Sequence, residues 1–204
     1  MSPEVLAAWP TPELAYAIGL IAADGHLGKG NHLIGFTSAD EEQVENYRTC
    51  LELGPEVTIR VYPPDQENHK PSYRLNFSDH AFYAFLQELG LTLANSPTTG
   101  PLAIPDSVFA DFARGCWDGD GGFSVHHRRG RKDQLRSYLT SSNPSFLKWM
   151  QKRIKVLPGL RGSIYNANLT YYGPKAIALG HWLYYAPDLP ALTRKRVIWE
   201  RFAT

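Results

Sequence analysis

Ala17-Ile-Gly19-Leu-Ile-Ala-Ala-Asp24-Gly25 and Ala113-Arg-Gly115-Cys-Trp-Asp-Gly-Asp120-Gly121 are two versions of one pattern. Gly19 aligns with Gly115, Asp24 with Asp120 and Gly25 with Gly121, at an offset of 96 residues. A repeat of that period in a chain of 204 residues predicts two similar units. The neighbourhood of each copy repeats as well. An extended stretch follows, ending in Phe36-Thr-Ser-Ala or Leu139-Thr-Ser-Ser, and then an amphipathic helix, Glu41 to Leu53 or Ser145 to Val156.

Helix starts are marked by a capping side chain before a proline, Thr11-Pro12-Glu13 and Asn143-Pro144. Ile104-Pro105-Asp106 is expected to open the second motif helix, and Gly173-Pro174 a further one. Between helices the residues alternate with period two, as half-buried antiparallel strands do. Val57, Ile59 and Val61 are expected to face a core, leaving Thr58, Arg60 and Tyr62 on the open face. Arg74 and Asn76 alternate within Tyr73–Phe77, Arg136, Tyr138 and Thr140 oppose Leu139, and Arg161, Ser163 and Tyr165 oppose Ile164. Each copy therefore reads as helix, two strands, helix, two strands, helix: an α+β chain whose sheets have a polar, basic and aromatic face. The units are expected at 1–96 and 105–204, joined by a linker at 97–104 rich in proline and glycine.

With 43% hydrophobic and 20% charged residues, disorder over most of the length is excluded. The longest strongly apolar run, Leu14 to Ala23, ends at Asp24 and falls far short of the roughly 20 residues a membrane span needs. Met-Ser-Pro-Glu-Val carries an acid where a secretory signal has basic residues, so the expectation is an intracellular protein, cytoplasmic and nucleoid-associated or organellar, and not secreted. Cys50 and Cys116 cannot build a disulfide scaffold or a four-ligand zinc site and read as buried thiols. The net charge of +1 hides a split. Residues 1–102 hold 5 Lys/Arg against 13 Asp/Glu, and residues 103–204 hold 16 against 7. Such asymmetry suggests that one half faces a polyanion, the alternative being that the halves attract each other.

The motif itself carries chemistry. A glycine inside a helix costs about 1 kcal/mol relative to alanine. Two of them at matching positions are explained if the motif helices cross with their backbones in close approach. Asp24 and Asp120 would then lie together at the helix ends, where each carboxylate opposes the helix dipole and repels the other. A divalent cation would relieve both effects, and hard oxygen ligands suit Mg²⁺, which draws the rest of its shell from water and phosphate.

The paired segments resemble the LAGLIDADG family of homing endonucleases in the single-chain, two-motif form, and the resemblance covers nearly the whole chain in element order. It implies two pseudo-symmetric αββαββα units packed through their motif helices, each with a saddle-shaped antiparallel sheet over the DNA major groove. It implies a monomer that hydrolyses one phosphodiester in each strand of a long, pseudo-palindromic or asymmetric double-stranded DNA site and leaves 3′ overhangs. The implied cofactor is Mg²⁺, with Mn²⁺ substituting and Ca²⁺ supporting binding without cleavage. The metal ligands fall on Asp24 and Asp120, assisted by the backbone carbonyls of Ala23 and Gly119. The chain departs from the consensus at Ala22, where an acid is usual; the second copy keeps Asp118, at a position that caps or packs. A basic residue late in each repeat is expected beside each active site. Lys195 meets this in the second copy, whereas the matching stretch of the first offers Asn95, so the two sites are expected to be unequal.

Antiparallel ribbons can present alternate side chains to base edges in a major groove. Arg60, Arg74, Arg136 and Arg161 are the guanine-reading candidates and Asn76 the adenine reader. Thr58, Tyr62, Tyr138, Ser163 and Tyr165 share those faces. Lys29, Arg128, Arg129, Arg131 and Lys132, at hairpin tips, are assigned to the DNA backbone, and His126 is a further DNA-binding candidate. For any one of these a solvated surface charge is the alternative. Trp149, Trp182, Tyr184 and Trp199 read as core residues. Asp118-Gly-Asp120-Gly-Gly is like the start of a calcium loop, but position twelve is Arg129 where a glutamate is needed, which rejects an EF-hand. The runner-up function is a non-cleaving DNA- or RNA-binding module of the same fold, an intron maturase or a transcription regulator.

Overall fold

The computed structural model describes residues 3–64, 70–91, 100–130, 132–155 and 157–203. Arg131, Asn95, Val156 and the expected boundary between residues 96 and 97 lie outside the described residues. The first unit runs α2 (Pro12–Asp24), β1 (Gly25–Leu27), β2 (Leu33–Ser38), α3 (Glu41–Cys50), β3 (Arg60–Tyr62), β4 (Ser72–Ser78) and α4 (His80–Glu88), after a short α1 (Pro3–Ala7). The second repeats the order: α5 (Phe109–Asp120), β5 (Gly121–His126), β6 (Gln134–Thr140), α6 (Pro144–Ile154), β7 (Ser163–Tyr165), β8 (Asn168–Tyr172) and α7 (Pro174–Leu183). An additional α8 (Thr193–Glu200) follows.

The two sheets have the same antiparallel topology, β1-β2-β4-β3 and β5-β6-β8-β7. Alternation decides their faces. Ile34, Phe36, Leu75 and Phe77 in the first sheet, and Phe123, Leu135, Leu139, Leu169 and Tyr171 in the second, point into one core with the helices. Their alternates look outward, so each sheet has a helix-covered face and an open one.

Local chemistry accounts for the starts of α2 and α6. The Thr11 hydroxyl accepts from Leu14 N, and Asn143 Oδ1 accepts from Ser145 N and Phe146 N, each ahead of a proline at the first helical position. Some expectations need correction. The second motif helix does not open at Ile104-Pro105-Asp106: Asp106–Val108 forms a 3₁₀ turn, and the α-helix begins at Phe109 without a side-chain cap. The strand expected over 57–62 shortens to Arg60–Tyr62, and Val61, assigned to the core, is 58% exposed. As the outermost strand β3 pairs with β4 alone, and it is exposed on both faces. The helix expected to reach Leu53 ends at Cys50, where Glu52 takes a left-handed conformation. Cys50 and Cys116 are buried free thiols. Among the described residues no helix is long and apolar enough to cross a membrane.

Candidate active site and nucleic-acid face

The two motif helices cross at their glycines. A Cβ placed on Gly19 would lie 2.2 Å from the carbonyl oxygen of Phe112, and one on Gly115 would lie 2.2 Å from that of Tyr16. In both cases the facing glycine Cα is 3.0 Å away. No side chain fits between these backbones, which is the offset for glycine's poor helix propensity. Leu14 to Ala22 is continuously buried, because α2 has α5 on one side and its own unit's core on the other.

Contact persists to the helix ends. A Cβ on Gly119 would meet Ala23 Cβ at 2.4 Å and Asp24 Oδ2 at 3.4 Å, which puts the Asp24 carboxylate against the last turn of α5. Asp24 and Asp120 end their helices and emerge into solvent where β1 and β5 begin. The packed helix ends still strip enough water from them to matter. Burial raises the Asp24 pKa, against the pull of Lys195. Asp120 is pushed up to about 6, first by burial and then by the charge of Asp24, with Lys195 opposing. The charge of Asp24 thus reaches Asp120 across the paired helix ends. Among the described residues no cluster of three or more His, Cys, Asp or Glu side chains forms a complete metal cage.

Lys195, on α8, is buried, and its ammonium donates to the carbonyl oxygens of Trp117 (3.2 Å), Asp118 (2.6 Å) and Gly119 (3.1 Å). It therefore caps the C-terminal end of α5, where a cation is favoured, while burial lowers its pKa. Its bond to the Gly119 carbonyl occupies one acceptor direction of a proposed metal-ligating oxygen. Gln43 of α3 joins from the other unit: its amide donates to Asp118 O at 2.5 Å, and its oxygen accepts from Ser38 Oγ at 2.6 Å. The sequence reading missed Gln43. Its signal was a polar residue on the buried side of an amphipathic helix.

Asp118 behaves as a packing residue. It is fully buried, accepts from Tyr16 Oη (2.9 Å) and Leu192 N (2.7 Å), and is raised to about 6 by burial, with those bonds opposing. One turn earlier, buried Arg114 pairs with Asp111 (2.8 Å) and donates to the carbonyls of Leu183 and Pro190. Together these bonds tie the segment between α7 and α8 to the motif helix, and that segment sets Lys195 in place.

The expected nucleic-acid residues that are described lie on or beside the two open faces. In the first sheet Arg60 is directly opposite Arg74, Tyr62 opposite Ser72, and Asn76 opposite Gly35. The Arg74 guanidinium lies 4.8 Å over the Tyr62 ring and donates to Thr37 Oγ1. Thr58, Arg60, Arg74 and Asn76 line a cavity of about 570 Å³, with Glu56 as its only acid among the described residues. Glycine at 35 leaves room on this face for the His26 imidazole and the Asn76 amide, which would both crowd a Cβ there. In the second sheet Arg136 stacks 5.0 Å over Tyr138, and His126 meets Tyr172 edge-on at 5.4 Å. Ser163 and Tyr165 are exposed on β7, and Arg161 is exposed just before it. Lys29, Arg129 and Lys132 are exposed in the hairpin turns, and Arg128 is half-buried against Gln134. Ser124, Thr170 and Tyr172, in register with Arg136 and Tyr138, also belong to this face.

Part of the charge split is internal. Arg194 of the second half pairs with Asp40 of the first (2.8 and 2.5 Å), and Thr193 bonds Glu42. Among the described residues Arg129, Lys132, Arg136 and Arg161 form no ion pair, so their charge remains available to a ligand.

Residues 11–90 match the family model described as LAGLIDADG-like domain. Among solved structures, the homing endonuclease I-WcaI bound to its DNA recognition sequence superposes with a TM-score of 0.58 at 13% identity, over 98% of this chain and 94% of that one. I-DmoI in complex with DNA and Ca gives 0.55 at 17% identity, over 93% and 97%. Full-length DUF199/WhiA from Thermatoga maritima gives 0.54 at 16% identity, over 97% of this chain, which spans 62% of the length of that protein. These likenesses establish the fold. A comparison with curated proteins finds no match.

Proposed function

We propose that this chain, whose first repeat matches a LAGLIDADG-like domain and whose two units share the fold of single-chain homing endonucleases, is itself a sequence-specific, metal-dependent DNA endonuclease. The observation that carries the reading is the pair of acids, Asp24 and Asp120, gathered where two glycine-packed helices end, with a basic and aromatic sheet face on either side. The fold alone does not carry it, because DUF199/WhiA shares that fold.

The donor set fits a hard divalent cation. Both carboxylates are raised by burial, and Asp120 also by the charge of Asp24, so the pair gains from a shared positive charge, and so few protein ligands leave room for water and phosphate oxygens. Asp24 and Asp120 would hold the ion, with the carbonyls of Ala23 and Gly119 in reach of the same edge. Bound there, Mg²⁺ would stabilise charge developing on the scissile phosphate and acidify a water. Mn²⁺ is expected to substitute, and Ca²⁺ to support binding without cleavage; I-DmoI has been solved in complex with DNA and Ca and with DNA and Mn.

The chain's own residues supply position. The two open faces would each take one half of a long DNA site in the major groove, so that a single chain suffices. Arg60, Arg74, Asn76, Arg136 and Arg161 would read base edges, with Thr58, Tyr62, Tyr138, Ser163 and Tyr165 beside them. Lys29, His126, Arg128, Arg129, Arg131 and Lys132 would hold phosphates. Lys195 keeps the α5 end fixed and places a positive charge near Asp24 and Asp120, which favours their ionised forms. No such lysine is expected in the first repeat, so the strands should be nicked at different rates.

Incubation with a randomised duplex library and Mg²⁺, followed by sequencing of the cut ends, tests the reading. One consensus with short 3′ overhangs supports it. Selective binding with no cut ends under Mg²⁺ or Mn²⁺ contradicts it and identifies a binding module of the same fold.

A further inference from the structure

Helix α6 carries a charge feature that the sheet faces do not account for. Lys148 and Lys152, with Lys155 at the C-cap in a helical conformation, follow a spacing of four and three residues, which sets them in one stripe. All three are exposed, and none forms an ion pair among the described residues. Like charges at a separation of four destabilise a helix. The helix dipole favours cations only in the last turn, so it offers no compensation at Lys148. The opposite side of α6, with Phe146, Leu147, Met150 and Ile154, is buried in the core that also receives Leu139 and Leu169 of the second sheet. The stripe therefore lies on the helix-covered side of that sheet, away from its open face.

Beside the stripe is a cavity of about 470 Å³ lined in part by Phe109, Trp182, Lys152 and Arg153. The Arg153 guanidinium lies 3.9 Å over the Phe109 ring and is held by Asp106 at 2.7 Å and by the Ile104 carbonyl at 3.0 Å. Phe109 and Trp182 are 6.1 Å apart, and Trp182 is half-buried. A fixed guanidinium plane and an indole at the edge of a cavity form a stacking platform, and a row of unpaired lysines leads away from it. Stacking sites next to backbone-tracking cations are what single-stranded nucleic acids bind. Asp106 at the mouth opposes phosphate, but its charge is already committed to Arg153.

We propose that this face is a second nucleic-acid site, in which a single-stranded segment places one base in the Phe109–Trp182 cavity and its phosphates along Lys148, Lys152 and Lys155. The site uses no strand residue and does not depend on DNA cleavage. RNA and single-stranded DNA share the required chemistry.

Anisotropy of fluorescein-labelled oligo(U) and oligo(dT) of about 12 nucleotides, titrated with the full chain at about 50 mM salt, tests it. The variant Lys148→Gln/Lys152→Gln/Lys155→Gln is expected to weaken binding at least about tenfold and to flatten the salt slope by up to about 2, at about 0.7 per lost phosphate contact. Trp182→Leu is expected to weaken binding without changing the slope. Neither should alter binding of a duplex enriched by binding from the randomised library, which Arg136→Ala/Tyr138→Ala in the open sheet face should weaken. Tighter binding of oligo(U) would assign the site to RNA, and equal or tighter binding of oligo(dT) to single-stranded DNA. Three results overturn the proposal: no binding of either oligomer, an unchanged affinity in the triple-lysine variant, or loss of oligomer binding only in the sheet variant. Retention on polyglutamate without oligomer binding would instead mark an acidic protein partner.

Discussion

Replacing Gly19 or Gly115 by alanine puts the helix crossing to a quantitative test. The added methyl would meet a carbonyl oxygen at 2.2 Å, whereas carbon and oxygen pack at about 3.3 Å or more. Both neighbours are backbone, so the relief has to come from moving one helix by roughly 1 Å. Overpacking of this kind costs about 1–3 kcal/mol, with the upper part of the range expected where no rotamer can give way. Alanine returns about 1 kcal/mol of helix propensity, leaving a net loss of about 1–2 kcal/mol for either variant. In a domain of this size that lowers Tm by about 2–8 °C. The double variant should lose less than the sum, since both methyls force the same separation. Circular dichroism melting of the three variants provides the stability numbers. Cleavage of the selected site should fall by about a hundredfold, the scale expected for a misplacement of about 1 Å between reacting groups. A variant that melts at or above the parent temperature, as an unhindered Gly→Ala in a helix does, would refute the close approach.

Further expectations concern the groups around this crossing. Lys195→Met removes one donor from each of three α5 carbonyls, of which Trp117 O keeps the Gly121 N–H and Asp118 O keeps the Gln43 amide, and should lower stability by about 1–3 kcal/mol in urea unfolding with an unchanged m-value. It should also slow nicking of one strand more than the other, and equal slowing would separate Lys195 from either site. Because the folded pKa of Asp120 is raised to about 6, the folded state holds this proton more tightly than the unfolded chain does. The ionised carboxylate then costs stability that is fully present above about pH 6 and disappears as pH falls toward the unfolded value near 3.8. Metal-free Asp120→Asn should therefore gain Tm over the parent at pH 7.5 and show a smaller gain at pH 5. Mg²⁺ should stabilise the parent well at pH 7.5 and weakly at pH 5, and a Mg²⁺ effect independent of pH would remove these carboxylates from the metal site. Arg128→Ala/Arg129→Ala/Arg131→Ala/Lys132→Ala should weaken duplex binding for every sequence and flatten the salt slope by up to about 0.9 per lost contact. An unchanged slope would show that the hairpin does not touch DNA.

Much of the architecture could be read from the residue order because the decisive features are local. Glycine has few uses inside a helix, so Gly19 and Gly115 at matching positions pointed to a crossing before any contact was known. Alternation within Arg74–Phe77 and Leu135–Leu139 sorted the sheet faces correctly, since each strand has a neighbour on both sides and helices over one face. Val61 failed because the same alternation in an edge strand does not ensure a covered face. The start of α5 was misplaced because a proline signals a turn of helix but not whether that turn is 3₁₀ or α. Gln43 and the Arg114–Asp111 pair stayed hidden for a different reason: their roles arise from contacts with residues 75 and 76 positions away, or with a carbonyl that any residue type carries. Lys195 was found through a resemblance, and its part in capping α5 became visible only with the packing of α8.

The central claim is that Asp24 and Asp120 act as one metal-holding centre, and substitution of each carboxylate addresses it directly. Asp24→Asn and Asp120→Asn should each bind the selected duplex in Ca²⁺ as the parent does, and each should fail to cut both strands in Mg²⁺. Double-strand cutting at the parental rate by either variant would contradict the account.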